Sequence, residues 1–351
     1  MHLVLDVYSD TGRQFASMCS PKIARAVKWK AVDGVRAATL ANRCRFLRNC
    51  RLANALMSNI FETLARELPE VEKQTKGIRQ MSEHAMCARL LCLCFGWDWY
   101  QQRIAFQDDP DEWMQNLKHD PDPLRRIIYD SRVIRLGDAA YTLLKGQFTG
   151  ADAWRHRFLT RPTKPCFAET EIASLFAYNG FNVEVVTETG VRGQDFDLAA
   201  TRDGVTLSVE ITAKEDGPLT VETVRNTLTT KRTQVPADRP AVLYMRIPEE
   251  WMRNPIESQA IFSEAYVEFF KKSHRFNAVV LVWEKLVPAL DGAFTGMSMW
   301  PCYNNSPRNP YSRLDLLGPM RAPHGRVLLA HSFYDFLKGV EAKLLKNSAP
   351  I

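Results

Sequence analysis

The sequence predicts a protein of mixed α and β class, with a mostly helical first part followed by a mixed central sheet. Residues 1 to about 160 are rich in Ala, Leu, Arg and Met and sparse in glycine, which favours helices. From residue 166 onward, helical patterns alternate with short apolar segments that are typical of strands. The chain has 351 residues, enough for two domains. We expect a helical domain over residues 1–160, a sheet-containing domain over 166–290 and a C-terminal extension over 291–351.

The positive charge of the chain is concentrated in its first part. Residues 1–165 contain 26 Lys and Arg against 18 Asp and Glu, whereas residues 166–351 contain 20 against 22. A basic helical module suits contact with a polyanion, although a solvated basic helix face explains the same charge without a ligand. The candidate nucleic-acid-binding residues are Arg43, Arg45, Arg48 and Arg51.

The sequence carries no signal of a membrane or secreted protein. It contains no run of about 18 apolar residues, so we expect no membrane-spanning segment. Its first residues lack the basic start and apolar core of a secretion signal. The eight cysteines form no CxxC pair, and three of them, Cys87, Cys92 and Cys94, lie on an apolar helical segment. We interpret them as buried thiols in a reducing cytoplasm rather than as zinc ligands.

Elements of the second part follow one another at short spacing. A helix before Gly180 precedes a strand, a hairpin, and then two helix–strand pairs. The two strands that close these pairs are almost wholly apolar, which indicates central positions in a sheet. The expected order is α-β-β-β-α-β-α-β, with helices on both faces of a mixed sheet. Further helices are expected at about 78–95, 124–146 and 330–346, with a loop rich in Pro and Asn at 300–312.

The hairpin is predicted between Gly193 and Lys214. Asp203-Gly204 favours a tight turn between two strands. The second strand alternates apolar residues with polar ones, so that Glu210 and Lys214 share a face. Antiparallel pairing would bring Asp197 close to Glu210, and two neighbouring carboxylates are costly unless a cation lies between them.

These elements carry a resemblance to a known family. The αβββαβ core over residues 166–285 resembles the PD-(D/E)XK nuclease superfamily, which has the restriction-endonuclease-like fold. Glu169 lies on the helix before Gly180-Phe181, as in the family, with Glu171 as the competing choice. Asp197 in GQDFDL matches the metal-binding aspartate, with Asp195 as the alternative. Glu210 in VEITAK matches the glutamate of the family's third strand. Gln234, at the end of the following helix, resembles a glutamine that some relatives carry there.

The sequence departs from the family at Thr212, where the catalytic lysine would stand. Threonine cannot supply the positive charge. Lys214 lies on the same face about 6.6 Å further along the strand, and we favour it slightly over Lys231 on the next helix. A third alternative is a degenerate site that binds without cutting.

The resemblance implies a DNA endonuclease that depends on Mg²⁺ or Mn²⁺. Glu169, Asp197 and Glu210 would be its metal ligands, and carboxylates are the hard oxygen donors that Mg²⁺ prefers. A lysine, either Lys214 or Lys231, would orient or deprotonate the attacking water. The alternative is a catalytically degenerate member that binds nucleic acid or a protein partner without cutting. Contacts with a second copy of the chain or with a protein partner would involve the helical first domain. Proteins of this fold often act in defence against foreign DNA, which suggests such a role here.

Overall fold

The computed structural model of the protein describes residues 60–105, 114, 122–146, 148–191, 193–214, 217–289, 292–317, 320–321, 327–328 and 330–348. The chain divides into two compact units, one comprising Met1–Ile78 with Tyr334–Ile351 and the other Arg79–Phe333. The boundaries of these two units differ from those of the three segments expected from the sequence, and that three-part division stays a prediction. In the part of the chain that is described, no helix is both long and apolar enough to cross a membrane.

The larger unit begins with two long helices, α1 (Arg79–Phe95) and α2 (Pro123–Lys145). Between them, the short helix Trp97–Tyr100 continues into a π-helical turn over Gln101–Ala105. α1 and α2 approach closely at Gly137, where an added Cβ would lie 2.4 Å from the Cβ of Cys87. Glycine is therefore required at this crossing. Two further helices follow, α3 (Ala151–Thr160) and α4 (Thr163–Tyr178).

A seven-stranded mixed sheet forms the centre of the larger unit, in the spatial order β1 to β7. β1 to β2, β4 to β5 and β5 to β6 pair in parallel, and the remaining neighbours are antiparallel. The strands are β1 (Phe148–Thr149), β2 (Asn182–Val185), β3 (Leu198–Arg202), β4 (Val205–Ala213), β5 (Ala241–Arg246), β6 (Phe276–Ala289) and β7 (Gly292–Tyr303). The mixed α and β class expected from the sequence is thus confirmed.

Helices cover both faces of the sheet. α5 (Val221–Lys231) connects β4 to β5, and α6 (Pro255–Lys272) connects β5 to β6. Successive side chains of β5 point to opposite faces. Leu243 packs in the apolar cluster with α5 and α6, whereas the ring of Tyr244 contacts Phe176 of α4 on the other face.

The β3–β4 hairpin turns at the two residues expected from the sequence. Asp203 and Gly204 have φ angles of 52° and 77°, the left-handed values that a two-residue hairpin turn requires. Arg202 therefore pairs with Val205, and the register continues to Leu198 opposite Val209. The next residues along the two strands are Asp197 and Glu210, which the turn places side by side.

β4 is buried on both faces, which differs from the alternation read in the sequence. Leu207 to Ile211 are all buried, and Glu210 is only 1% exposed. The reason is its central position, since β4 lies between β3 and β5 and has helices on both sides. Glu210 is therefore a buried charge rather than a solvated residue on an open face.

β6 is longer than the apolar strand expected from the sequence, and β7 was not expected at all. β7 reaches Tyr303 and includes Pro301, within the segment expected to be a loop. Pro301 lies opposite Val280. Proline is tolerated there because β7 is at the end of the strand order, where one side of the strand needs no donor. Beyond it, the short strands β8 (Met320–Arg321) and β9 (Val327–Leu328) form an antiparallel pair.

The smaller unit contains helical residues 60–74 and most of the helix Phe333–Ser348. The rings of Phe61 and Phe336 meet edge to face at 5.3 Å between centroids. Glu72 accepts hydrogen bonds from the hydroxyl of Tyr334 and from Lys338 Nζ, the latter at 3.2 Å. An aromatic contact and a shared carboxylate thus join the two helical segments within this unit.

Candidate functional site

The candidate site lies at the end of β3 and the middle of β4. Asp197 directly precedes β3, and its Oδ2 accepts a hydrogen bond from the backbone N–H of Ile211 at 2.7 Å. β3 does not extend far enough to pair with Ile211, so the carboxylate satisfies an N–H that would otherwise lack a partner on this side. The backbone oxygen of Asp197 accepts from Val186 N at 3.1 Å. Backbone contacts on both sides therefore hold Asp197 in place.

Glu210 faces the helix layer formed by α5 and α6. In the parallel ladder it pairs with Leu243, which packs in that layer, and paired residues point to the same face. Lys231 lies in the last turn of α5, and its Nζ donates to Glu210 Oε1 at 2.7 Å. The other oxygen of Glu210, Oε2, is buried and has no hydrogen-bond partner among the described residues. An unpaired carboxylate oxygen at this depth is a natural ligand position for a cation.

The pKa values of both carboxyl groups are raised. Burial is the largest cause for Glu210, and despite the opposing charge of Lys231 its pKa rises to about 7. Burial also raises the pKa of Asp197 well above its usual range. The negative charges of Glu210 and Glu169 add to this effect, and Arg157 opposes it. The three carboxylates therefore act on one another, and additional positive charge beside Asp197 and Glu210 would stabilise their ionised forms.

Glu169 lies on α4 and is held by two arginines. Arg157 Nη1 is 2.6 Å from its Oε2, and Arg161 Nη1 is 3.2 Å from its Oε1. Arg157 also lies 3.6 Å from Asp197 Oδ1 and donates to Val186 O at 2.6 Å. Both oxygens of Glu169 are thus occupied by guanidinium groups.

The described residues contain no group of three or more His, Cys, Asp or Glu side chains arranged to hold a metal ion. Glu169, Asp197 and Glu210, the ligand set expected from the sequence, are near one another but do not converge in this way. Asp197 and Glu210 alone still fit a Mg²⁺ ion, which is commonly bound by one or two carboxylates and keeps several waters. The unpartnered Glu210 Oε2 and the raised pKa values of both groups support this fit.

The two candidate lysines are placed differently. Lys231 contacts Glu210 directly. Lys214 follows the end of β4, where its backbone N donates to Arg246 O at 2.8 Å, and its ammonium forms no ion pair with another described residue. Thr212 pairs with Met245 in the β4–β5 ladder. Lys231 is thus the lysine that contacts the carboxylate of Glu210, whereas the sequence slightly favoured Lys214 for the catalytic role.

The alternatives left open by the sequence are separated by their contacts. Asp195 is partly exposed and accepts hydrogen bonds from Thr189 N at 2.6 Å and Thr189 Oγ1 at 2.8 Å, which lower its pKa. It stabilises its own loop. Glu171 is buried in another ionic cluster, where it accepts from Arg135 and from Arg246 at 3.2 Å. Asp197 and Glu169 are the members of each pair that lie at the candidate site.

Gln234 lies just past α5, and its backbone N donates to Lys231 O at 3.2 Å. Its side-chain Oε1 is buried without a hydrogen-bond partner among the described residues. The residues that neighbour Gln234 and Asp197 in the chain, Val235 and Phe196, line an open cavity of about 590 Å³. Arg239, Arg275 and Asp238 also line it. Arg239 Nε lies 3.5 Å from Asp238 Oδ1, so the two arginines exceed the acidic charge of these three residues by one.

Arg157 and Arg161 were not among the residues singled out in the sequence, although one signal was present. Arg157 follows Trp154 by three residues and precedes Phe158, so it lies on the buried face of α3. A charged residue at an apolar position of a helix requires a buried partner, and that partner is Glu169. The four expected nucleic-acid contacts, Arg43, Arg45, Arg48 and Arg51, lie outside the described residues.

Comparisons of the chain with protein-family models, with curated proteins and with solved structures found no match. The assignment of a function therefore depends on the geometry of the site and on the residues that form it.

Proposed function

We propose that this protein is a metal-dependent nuclease of the restriction-endonuclease-like fold, with Lys231 in the role of the missing strand lysine. The observation that carries the proposal is the 2.7 Å contact between Lys231 Nζ and Glu210 Oε1, next to the partly buried carboxylate of Asp197. The order of elements from α4 to β5 is αβββαβ, as in that fold. A lysine moved from the strand to the following helix reaches the same carboxylate from another direction.

Asp197 and Glu210 would hold the Mg²⁺ or Mn²⁺ ion. When bound, the ion would supply Lewis-acid polarisation of the phosphate and a lower pKa for a coordinated water. The two carboxylates would neutralise the cation, and they are themselves held in place by the bond from Ile211 N to Asp197 and by the contact of Lys231 with Glu210. Glu169, with both oxygens on arginines, acts through the field of its charge rather than as a direct ligand.

Lys231 has two tasks in this proposal. Its ammonium orients the attacking water by a hydrogen bond and places positive charge next to the phosphate oxygens, where negative charge develops. Its side chain is 23% exposed, so one side reaches solvent while Nζ is held by Glu210. A substrate can therefore approach the ammonium without displacing the helix.

The substrate class is nucleic acid, with DNA as the first candidate. The cavity beside the site has the volume of a typical small-ligand pocket, which spans about 300–1,000 Å³, and can take a nucleotide next to the scissile phosphate. Arg239 and Arg275 at its wall offer guanidinium groups for flanking phosphates. Arg275 is anchored by its bond to Val235 O at 2.9 Å, which fixes its direction.

The test compares Lys231→Ala with Lys214→Ala as a matched control. Purified full-length protein is incubated with labelled double-stranded DNA, single-stranded DNA and RNA in Mg²⁺, Mn²⁺ or EDTA. We expect the first variant to lose about 10²–10⁴-fold in cleavage rate, the usual effect of removing an acid–base group, and the second to cut at the wild-type rate. Asp197→Asn should abolish metal-dependent cleavage. The reverse order of the two lysine variants would assign the role to Lys214.

A nucleic-acid-binding protein without catalysis is the second candidate. The observation favouring it is that each carboxylate of the site already has a cationic neighbour in the chain: Arg157 contacts Glu169 and lies near Asp197, and Lys231 contacts Glu210. Such a site can persist without metal. Salt-dependent binding of an oligonucleotide, together with no metal-dependent cleavage of any substrate by the wild type, would establish this candidate and end the first.

A further inference from the structure

Arg157 is a buried cation within the carboxylate cluster. Its side chain is 5% exposed, and its guanidinium lies between Glu169 Oε2 at 2.6 Å and Asp197 Oδ1 at 3.6 Å. Two backbone oxygens, of Val186 and Asp197, accept from it at 2.6 and 3.5 Å. These contacts fix the guanidinium from several directions, so its place in the cluster does not depend on one salt bridge.

The contacts leave few free ligand atoms on this side of the site. Glu169 has Arg157 on one oxygen and Arg161 on the other. Asp197 has Ile211 N on Oδ2 and Arg157 beside Oδ1. A cation bound between Glu169 and Asp197 would have to displace Arg157, which would leave a buried guanidinium without its partner.

Glu210, in contrast, has a carboxylate oxygen that is still open to a ligand. Its Oε2 is buried and unpartnered among the described residues, while Oε1 is bound to Lys231. The negative charge of Glu210 raises the pKa of Asp197, so the two ionised carboxylates are costly together. One divalent cation shared by these two carboxylates would remove that cost and occupy the unpartnered oxygen.

From these observations, and on the basis of the proposed metal-dependent function, we propose that Arg157 restricts the site to a single divalent cation. Arg157 takes Glu169 Oε2 and the position of positive charge that a second ion would need, whereas at 3.6 Å it leaves Asp197 Oδ1 able to contact the first ion. It is a positioning residue, because it acts on Glu169 and Asp197 rather than on the substrate. The site would then use one ion, held by Asp197 and Glu210, with Arg157 as a fixed cation beside it.

The experiment counts Mn²⁺ ions bound per full-length chain at pH 8, from the loss of the free-ion electron paramagnetic resonance signal. We expect one ion for the wild type and one for Arg157→Lys, which keeps the charge. Arg157→Gln frees Glu169 and Asp197 and should bind two ions. Adding Glu169→Gln to that variant should return the count to one, which a merely structural role of Arg157 would not predict.

The wild-type count can overturn the proposal even if Arg157→Gln does not fold. Two ions on the wild type would overturn the proposal, as would none. A folded Arg157→Gln that still binds one ion would also overturn it. One ion on a wild type that cuts no nucleic acid supports the single-ion site and refutes the nuclease activity, whereas cleavage with two bound ions refutes only the role of Arg157.

Discussion

Replacing Glu210 by glutamine should make the metal-free protein less sensitive to rising pH. The carboxyl group of Glu210 has a pKa of about 7 in the folded chain, against 4.5 for the ordinary side chain. Between these values the folded state holds a proton that the unfolded state has released. Stability at this position is therefore fully present below pH 4.5 and falls as pH rises through 7. The side chain introduced by Glu210→Gln does not titrate, so the variant lacks this loss.

The change in unfolding free energy follows from the difference between the folded and unfolded pKa of Glu210. A difference of 2.5 pKa units between 4.5 and about 7, at 1.36 kcal/mol per unit, corresponds to about 3 kcal/mol of unfolding free energy lost between pH 4.5 and pH 8. Burial is the dominant cause, and Glu210 is 1% exposed, so solvent screening reduces this little. Removing the charge of Glu210 also removes one cause of the raised pKa of Asp197. A raised pKa of Asp197 lowers the unfolding free energy of the wild type at high pH in the same way, so this change acts in the same direction.

The measurement is urea unfolding in EDTA at several values between pH 5 and pH 8, followed by circular dichroism. The matched control is Glu264→Gln, the same chemical change at an exposed residue of α6. Relative to the wild type, Glu210→Gln should gain about 2.5 kcal/mol of unfolding free energy between pH 5 and pH 8, while the control should follow the wild type. Parallel pH curves for all three proteins would refute the assignment of Glu210 as a buried, proton-binding carboxyl.

Three further predictions concern other parts of the molecule. Wild-type stability at pH 8 should rise with Mg²⁺, by about 2.7 kcal/mol at a hundred times the dissociation constant, and Asp197→Asn should abolish this gain. Gly137→Ala should lower the Tm, because its Cβ would lie 2.4 Å from Cys87 Cβ, whereas Gly339→Ala, with no atom within 4 Å, should not. If Arg45, Arg48 and Arg51 contact phosphates, replacing all three should flatten the dependence of DNA affinity on salt, and an unchanged slope would assign them to a solvated face.

Local signals in the sequence were sufficient for the elements around the site. The Asp203-Gly204 turn determines the β3–β4 register, and this register alone places Asp197 next to Glu210. Short apolar segments identified β5 and the first part of β6 because parallel central strands are apolar on both faces. These features depend on neighbours in the chain, which a pattern can show.

Contacts between distant segments could not be read in the same way. The choice between Lys214 and Lys231 depends on where the end of α5 packs against β4, 21 residues from Glu210 in the chain. Spacing along one strand favoured Lys214, but a helix that covers the strand brings its last turn to the carboxylate. The burial of Glu210 was missed for a related reason, since alternation describes one strand and not the helices that cover its second face.

Arg157 shows how a single buried charge connects a local sequence signal to contacts between distant segments. A guanidinium on the apolar face of α3 is tolerated because Glu169 of α4 and the backbone oxygen of Val186 receive its N–H groups. The same contact withdraws Glu169 from the metal ligand set that its position in the sequence suggests. The chemistry of the site is then left to Asp197, Glu210 and Lys231, with one unpartnered oxygen at Glu210 among the described residues. Both the nuclease proposal and the single-ion proposal require a bound cation at this site, and a count of no ions on the wild type would refute both without reference to any substrate.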